Sequence, residues 1–166
     1  MSRLEYAIDR ICQARSYTEN LLNSTDPKDW FRQPSEGVTH VAWQVGHLAF
    51  AEYHLTLQRR RGRQADDVGL ISDQFLSLFR KDSVPDPDPA KYPTAEEIRQ
   101  VFDRVHVQAV EELRGLADVG LDEPSEPPHP MFKTKFGALH YCSMQEMLHA
   151  GQIGLLRRLL GMKPVR

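Results

Sequence analysis

Apolar residues recur at intervals of three and four along four stretches of the chain, which is the spacing of amphipathic helices that face a core. The first predicted helix spans residues 3–23, with Ser2 as its N-cap, and stops in a cluster of turn-forming residues. The second follows Thr39 as its N-cap and runs to Arg61, with Gly62 placed to end it. These two helices account for much of the first third of the chain.

The third predicted helix opens with a capping box, with Thr94 at the N-cap and Glu97 three residues later, and its apolar stripe continues to Leu116. The fourth spans residues 138–160 and is apolar around most of its circumference. We therefore expect the fourth helix to be central or to line an oligomer interface. The apolar residues predicted to lie in the core or in a dimer interface are Met144, Met147, Leu148, Ile153, Leu155 and Leu156.

The segments between these helices are long and rich in proline. Residues 62–93 are predicted to be a crossover, in which only Asp73–Arg80, after Ser72 as a cap, is apolar enough for a short helix. Prolines within residues 124–130 predict a segment without regular structure. With no alternating strand pattern, the chain is predicted to be all-α, a four-helix bundle with a long crossover connection, in a single domain over residues 1–166.

The charge, the N-terminal residues and the cysteines of the 166-residue chain exclude several classes of protein. With 21 Lys and Arg against 23 Asp and Glu, the net charge of −2 argues against a dedicated nucleic-acid surface, and the arginines of 59–63 suit a helix end. Glu5 and Asp9 interrupt the region where a signal peptide would be apolar. Two cysteines, Cys12 and Cys142, lack disulfide or zinc spacing. We predict a cytoplasmic protein that binds neither nucleic acid nor membranes.

Histidine is the most informative residue type, with seven copies. His47 shares a face of the second predicted helix with Trp43 and Phe50, so we expect a buried neutral imidazole that needs a hydrogen-bond partner. His40 and His54 lie seven residues to either side, about 10.5 Å along the axis, too far to share one metal ion with it. Five histidines are predicted to be surface or capping residues, with His129 placed at the mouth of a pocket: His40, His54, His106, His129 and His140.

The fourth predicted helix carries His149 with three polar neighbours at helical spacing, Gln145, Glu146 and Gln152. Each unpaired buried polar group costs about 1–3 kcal/mol, so these side chains must be satisfied by one another, by water or by an ion. Glu146 and His149 also have the Glu-x-x-His spacing of di-iron bundles. No second such motif occurs in the sequence, so a di-iron oxygenase is not predicted.

Three segments together identify a family. They are Trp43–Ala49, the crossover from Phe79 to Thr94, and His149–Ile153 followed by the Arg157–Gly161 ending. Their sequences resemble the DinB/YfiT-like family over nearly the whole chain. The most specific element is His-x-Gly-Gln at residues 149–152. The resemblance implies a four-helix bundle, commonly dimeric, in which three histidines bind a divalent transition metal. The family includes thiol-dependent transferases and isomerases beside many members of unknown activity.

Carried over residue by residue, the resemblance implies His47 and His149 as metal ligands, and the family's remaining histidine falls on Gln145. A glutamine carbonyl is a harder and weaker donor than imidazole, so the replacement predicts a lower affinity for nickel, zinc or iron. Gln145 could ligate through its oxygen. Alternatively, Glu146 could supply a carboxylate after a helix rotation, although adjacent helical positions point about 100° apart.

The expected function is that of a metal-dependent enzyme, a hydrolase or a small-thiol-dependent transferase, with a site between helices two and four made by His47, Gln145 and His149. A homodimer and a small-molecule substrate are expected as partners. No catalytic residue is assigned, and Glu146 is the nearest carboxylate in sequence. The alternative is a metal-free family member that acts as a binding or dimerisation module. In that case the two histidines are a buried pair hydrogen-bonded to each other, to water or to Gln145.

Overall fold

Capping chemistry sets the first helix, α1, in the computed structural model, which describes residues 1–165. α1 spans Arg3–Asn23, as predicted. The Ser2 hydroxyl accepts from the Glu5 backbone N–H, and the Glu5 carboxylate accepts from the Ser2 backbone N–H, which satisfies two of the free donors at the helix start. The buried face of α1 packs along the last helix of the chain.

The second predicted helix is continuous but not uniform. It consists of α2 (Val41–Glu52), a π-helical segment (Tyr53–Gln58) and α3 (Arg59–Arg61). The prediction of Thr39 as the N-cap is wrong by one residue, because the His40 imidazole accepts from the Trp43 backbone N–H at 3.1 Å. Gly62 follows with a positive φ of 75°, in agreement with its predicted place after the helix.

The crossover contains more helix than its sequence predicted. α5 spans Asp73–Phe79 behind Ser72 as its cap, which confirms the short helix predicted there. A single turn, α4 (Asp67–Leu70), precedes it, and a 3₁₀ turn spans Pro89–Lys91. α4 was not predicted, because four residues are too few to show a period.

The third predicted helix is α6, Ala95–Arg114, with the expected capping box at Thr94. It ends just before Leu116, the last residue of the predicted stripe, which lies exposed beyond it. The fourth is α7, Lys135–Leu159. It begins three residues before the predicted start at 138, because the Thr134 hydroxyl accepts from the Gly137 backbone N–H and caps the helix there.

The proline-rich segment is the clearest correction. It forms β1 (Pro124–His129), which pairs antiparallel with β2 (Phe132–Thr134), whereas the prolines had predicted no regular structure. A hairpin with only two strands leaves one side of each strand unpaired, and prolines are tolerated there because no ladder donor is required. The ladder is irregular between its end pairs, Pro124 with Thr134 and His129 with Phe132.

The all-α class is confirmed, since the chain is mostly helical with one small sheet. Within residues 1–165, none of the helices combines the length and the apolar character needed to cross a membrane. The arginines at the end of the second helix are held by intramolecular contacts. Arg60 and Arg61 pair with Glu112, Arg61 also pairs with Asp67 at 2.9 Å, and Arg59 binds the hairpin backbone.

The apolar residues of α7 lie on two faces of the helix. Ile153 and Leu156 are buried in the core, as predicted for that group. The other residues of the group lie at the surface and, together with Leu159, form what we call the exposed α7 face. Its members are Met144, Met147, Leu148, Leu155 and Leu159.

The centre of the bundle holds a buried ion cluster. Arg15 of α1 binds Glu52 of α2 at 2.6 Å and Glu146 of α7 at 2.8 Å, and all three side chains are almost fully buried. The guanidinium also donates to the Phe102 carbonyl and lies 3.3 Å from the centre of that residue's ring on α6. His106 contacts Glu52 at 2.7 Å. One cation therefore joins the four long helices.

The two carboxylates respond differently to this burial. Burial alone would raise the pKa of Glu52, but Arg15 and His106 hold that pKa below its ordinary value. Burial raises the pKa of Glu146 despite the same Arg15, and the Glu52 charge adds to the increase. The charge of Arg15 is therefore needed to keep both groups in the folded core.

Replacing Arg15 by Met is expected to lower the free energy of unfolding by about 3–5 kcal/mol at neutral pH, because it leaves buried carboxylates without their cation. Without the cation, the folded-state pKa values of Glu52 and Glu146 lie above the unfolded ones. The loss should therefore be small at low pH, where both groups are protonated, and grow as pH rises. Urea unfolding at several pH values measures it.

Arg10→Met is the control on the same helix, because Arg10 and its partner Asp9 are both partly exposed and such a pair contributes far less to stability than a buried one. A loss for Arg15→Met as small as that of the control would contradict the role given to the cluster, and so would a loss that increases toward low pH.

Candidate metal centre

The predicted site residues come together where α2 faces α7. The rings of His47 and His149 are buried, with their centres 4.8 Å apart. Gln145 lies one turn before His149, and its amide nitrogen is 3.4 Å from Nε2 of His47 and 3.1 Å from Nε2 of His149. All three residues implied by the family resemblance therefore meet at one point.

The second nitrogen of each imidazole determines its tautomer. Nδ1 of His47 lies 2.8 Å from the Phe79 carbonyl, and Nδ1 of His149 lies 2.5 Å from the amide oxygen of Gln44. Both partners are oxygens that accept, so each neutral ring carries its proton on Nδ1. Each Nε2 consequently presents a lone pair, and both lone pairs are directed at Gln145.

Both rings are neutral at physiological pH. Burial lowers the pKa of His47, although the hydrogen bond to the Phe79 carbonyl opposes the change. Burial, together with the neighbouring His47, lowers the pKa of His149 to about 4. Neutral imidazole is the form that ligates metal ions, so the protonation state suits a metal centre.

Gln44 and Thr39 form a second layer behind His149. The Gln44 side-chain nitrogen donates to the Thr39 hydroxyl at 3.1 Å, which directs the amide oxygen toward His149. Outer partners of this kind orient metal-binding histidines and raise their basicity. The sequence showed Gln44 as the only polar residue one turn from His47, but its actual partner is a histidine on another helix.

The crossover is fastened over the site by α2. Three side chains at helical spacing, one at the N-cap and two on the same face of α2, bind backbone carbonyls or a hydroxyl group of the crossover. The contacts are His40 Nε2 to the Asp86 carbonyl at 2.9 Å, Trp43 Nε1 to Ser83 Oγ at 2.9 Å, and His47 Nδ1 to the Phe79 carbonyl at 2.8 Å. His40 was predicted to be a surface or capping residue; it is a cap, but it is completely buried.

Gly46 permits the approach of Phe79 to the helix. A Cβ atom on Gly46 would lie 2.3 Å from a ring carbon of Phe79, closer than any packed side chain allows. The same close approach places the Phe79 carbonyl on His47. Sequence reasoning missed this role, because a glycine inside a helix does not reveal what packs on it.

Glu146 does not belong to the site. Its carboxylate binds Arg15, so the suggestion that it could replace Gln145 as a ligand is wrong. The cause is helix geometry, because adjacent positions point about 100° apart. Within residues 1–165 no group of three or more His, Cys, Asp or Glu side chains is arranged to hold a metal ion.

A cavity of about 470 Å³ opens beside these residues. His47 and Gln145 form part of its wall, and His129 of the hairpin also lines it, as the sequence suggested for that histidine. We call it the histidine cavity. It is lined by His47, Phe50, Ala51, His54, Leu55, Lys81, His129, Pro130, Met131, Tyr141 and Gln145. Sequence reasoning did not find Lys81, which only the packed crossover brings here, or Tyr141, which lies on α7 one turn before Gln145.

The sequence model of the DinB superfamily matches residues 10–153, which include all three residues of the centre. The chain belongs to the DinB superfamily. No curated protein shows significant similarity to it.

The ending that supported the DinB resemblance has a structural role. Arg157 is buried, donates from Nε to the Thr25 hydroxyl at 2.8 Å and donates from Nη2 to the Ser24 carbonyl at 2.8 Å. These contacts satisfy groups at the C-terminal end of α1. Burial lowers the pKa of Arg157. In this DinB protein the arginine therefore joins the ends of α1 and α7 and lies outside the candidate metal centre.

Replacing Gly46 by Ala is expected to destabilise the protein by about 1–2 kcal/mol, because overpacking against Phe79 costs about 1–3 kcal/mol and the higher helix propensity of alanine returns up to about 1 kcal/mol. The displaced Phe79 should also loosen its carbonyl from His47. Urea unfolding measures the first effect, and faster exchange of the His47 Nδ1 proton in NMR spectra measures the second.

The control is Gly69→Ala in α4, where nothing lies within 4 Å of an added Cβ atom. It should leave the exchange of the His47 proton unchanged, and it should keep the unfolding free energy or raise it by up to about 1 kcal/mol through helix propensity. If Gly46→Ala matched this control, the close approach of Phe79 would not be a constraint on the site.

Proposed function

We propose that this DinB protein is a metal-dependent enzyme, a hydrolase or a small-thiol-dependent transferase, acting on a small molecule in the histidine cavity. The metal ligands in this proposal are His47, Gln145 and His149. The observation that carries the proposal is that two neutral imidazoles, each oriented by an acceptor behind it, direct their Nε2 lone pairs at the same terminal amide.

The spacing of these atoms supports a metal ion. Zinc–nitrogen bonds of about 2.0–2.1 Å in a tetrahedron place neighbouring ligand atoms about 3.3–3.4 Å apart. The Gln145 amide nitrogen lies 3.1 Å and 3.4 Å from the two Nε2 atoms. A half-turn of the amide exchanges its nitrogen and oxygen, so the oxygen can take the position of a third ligand without a helix movement.

The donor set determines the chemistry. Two imidazoles and an amide oxygen are neutral and suit zinc, nickel or iron(II). When bound, such an ion acts as a Lewis acid that polarises a carbonyl or lowers the pKa of a water or a thiol. The chain itself holds the ligands in place, because Trp43 stacks on the His47 ring at 4.8 Å and Phe50 packs on it at 5.7 Å. These aromatic rings limit the access of water to His47.

His54 is the side chain of the cavity best suited to accept a proton. Its Nδ1 lies 2.9 Å from the amide oxygen of Gln58, which assigns the proton to Nδ1 and leaves a lone pair on Nε2. Burial lowers its pKa, so the ring is neutral at physiological pH. A neutral imidazole in the cavity can serve as general base for a bound water or thiol.

One observation favours the alternative of a metal-free binding or dimerisation module. With the amide nitrogen of Gln145 facing the two imidazoles, its two N–H groups satisfy both Nε2 lone pairs. This hydrogen-bonded triad is complete without an ion. The two functions therefore differ in which atom of one amide faces the histidines.

Metal titration of the tag-free protein with zinc and nickel, in competition with a chromophoric chelator, tests the proposal. His47→Ala is expected to abolish binding at this centre, since it removes one of only two imidazole ligands. Gln145→His is expected to increase affinity at least about tenfold, because imidazole is a stronger donor to these ions than an amide oxygen. His140→Ala, at an exposed histidine of α7, is the control and should bind like the wild type.

Each outcome decides between the two functions. Binding by the wild type that is lost in His47→Ala supports the metal-dependent enzyme. Binding by Gln145→His alone, with none by the wild type, would establish the hydrogen-bonded triad as the native state and the metal-free module as the function.

The exposed α7 face supports a homodimer. Its five apolar side chains fall on one side of a 25-residue helix and are each about half exposed, which is unusual for a monomer surface. The spacing of three and four between them allows the same stripe of a second copy to pack on it around a twofold axis. We therefore propose a second copy of this chain as its partner.

Leu148→Lys places a charge in the middle of that stripe and is expected to convert a wild-type dimer to a monomer at micromolar concentration, because an unpaired charge would be buried in the interface. Analytical ultracentrifugation measures the change. Val119→Lys alters an apolar residue that is 90% exposed and lies outside α7, so it should remain dimeric. A monomeric wild type would refute the dimer, leaving the metal proposal unaffected.

The proposed compartment is the cytoplasm. A chain of this size with only Cys12 and Cys142 has no disulfide framework in its sequence, which is typical of a reducing compartment. Nucleic acid is not proposed as a partner, since Arg60 and Arg61 are engaged by carboxylates of the same chain.

A further inference from the structure

The wall of the histidine cavity has an uneven distribution of charge. Lys81, Tyr141 and three histidines contribute polar groups to it, together with the amide of Gln145. Neither Asp nor Glu is among the residues that line it. A cavity with a cation and several hydrogen-bond donors, but no carboxylate, is favourable for an anion.

Lys81 is the source of the positive charge. Its side chain is exposed at the edge of the cavity, and no carboxylate within the described residues lies within ion-pair distance of it. Other lysines near the crossover and hairpin differ, because Lys91 binds Asp86 and Lys135 binds Glu123. The charge of Lys81 is therefore available to a ligand.

His129 supplies a hydrogen-bond donor whose position on the ring can be assigned. Its Nδ1 accepts a hydrogen bond from the Met131 backbone N–H at 3.2 Å, so the proton of the neutral ring is on Nε2. The ring stacks on Phe132 with their centres 4.2 Å apart and lies 5.3 Å from Tyr141, which holds its orientation. Burial, and the charges of Arg59 and Lys81, lower the pKa of His129, which agrees with a locally positive environment.

We infer that the histidine cavity binds a small molecule that bears a carboxylate, with Lys81 as its counter-ion and with the His129 Nε2–H and the Tyr141 hydroxyl as hydrogen-bond donors. The apolar body of the ligand packs on Phe50, Leu55 and Met131, which form the remaining wall together with Ala51 and Pro130. This inference rests on the proposed function only in treating the cavity as the substrate site. The groups that would bind the carboxylate are not metal ligands.

The test compares an acid with its neutral isostere on metal-free protein. Chelator-treated protein is titrated with 4-phenylbutyrate and with 4-phenylbutanamide by isothermal titration calorimetry, so that no metal ion can attract the carboxylate. We expect the acid to bind about three- to fivefold more tightly than the amide, as befits one partly exposed ion pair, and to lose this preference as salt is added.

Variants assign the preference to the cavity. Lys81→Gln is expected to abolish the difference between acid and amide, and Lys81→Arg to retain it because the charge is kept. Lys133→Gln is the matched control, since Lys133 is exposed on β2 of the same hairpin but does not line the cavity. It should leave the preference intact.

Three results would overturn the inference: equal affinity for acid and amide, no binding of either, or equal losses in Lys81→Gln and Lys133→Gln. Its failure is distinguishable from that of the proposed function. A protein that binds zinc through His47 but shows no acid preference refutes the carboxylate ligand alone, while acid preference without metal binding refutes the metal centre alone.

Discussion

The buried contact of Arg15 with Glu52 and Glu146 is the interaction on which the site depends. Glu52 lies on the helix that carries His47, and Glu146 is adjacent to Gln145, so one guanidinium fixes the position of α2 relative to α7. Charges taken from water must be matched in geometry, because a small displacement leaves an uncompensated charge in the core. The charge pairing thereby places His47 of α2 against Gln145 and His149 of α7.

The crossover contributes a second level of order. It has little regular structure of its own, and α2 holds it through His40, Trp43 and His47. The contact is reciprocal, because the Phe79 carbonyl selects the tautomer of His47 while His47 holds the carbonyl in place. Connection and site are therefore one unit, and a glycine at position 46 is what allows them to approach.

The Gln145 amide of this DinB protein can face the two imidazoles with either its nitrogen or its oxygen, which a histidine at that position could not do in the same way. Its nitrogen can donate to both imidazoles. In the proposed metal centre, its oxygen would join them in binding a cation. The two states share the same helix positions and the same neutral histidines. Their difference is a half-turn about a single bond, with the outcome set by the affinity of a metal ion for two imidazoles and an amide oxygen.

The sequence by itself determined the all-α fold, the bounds of α1, the N-cap at Ser2, the capping box at Thr94 and the family, because periodicity, capping and motifs are local properties. Only the tertiary structure decided which neighbours each polar side chain would meet. In the folded chain Glu146 binds Arg15, and Gln44 binds His149. The proline-rich strand pairs with its neighbour, and Lys81 lines the cavity. These contacts join residues far apart in the chain, and one sequence carries no signal of such distances.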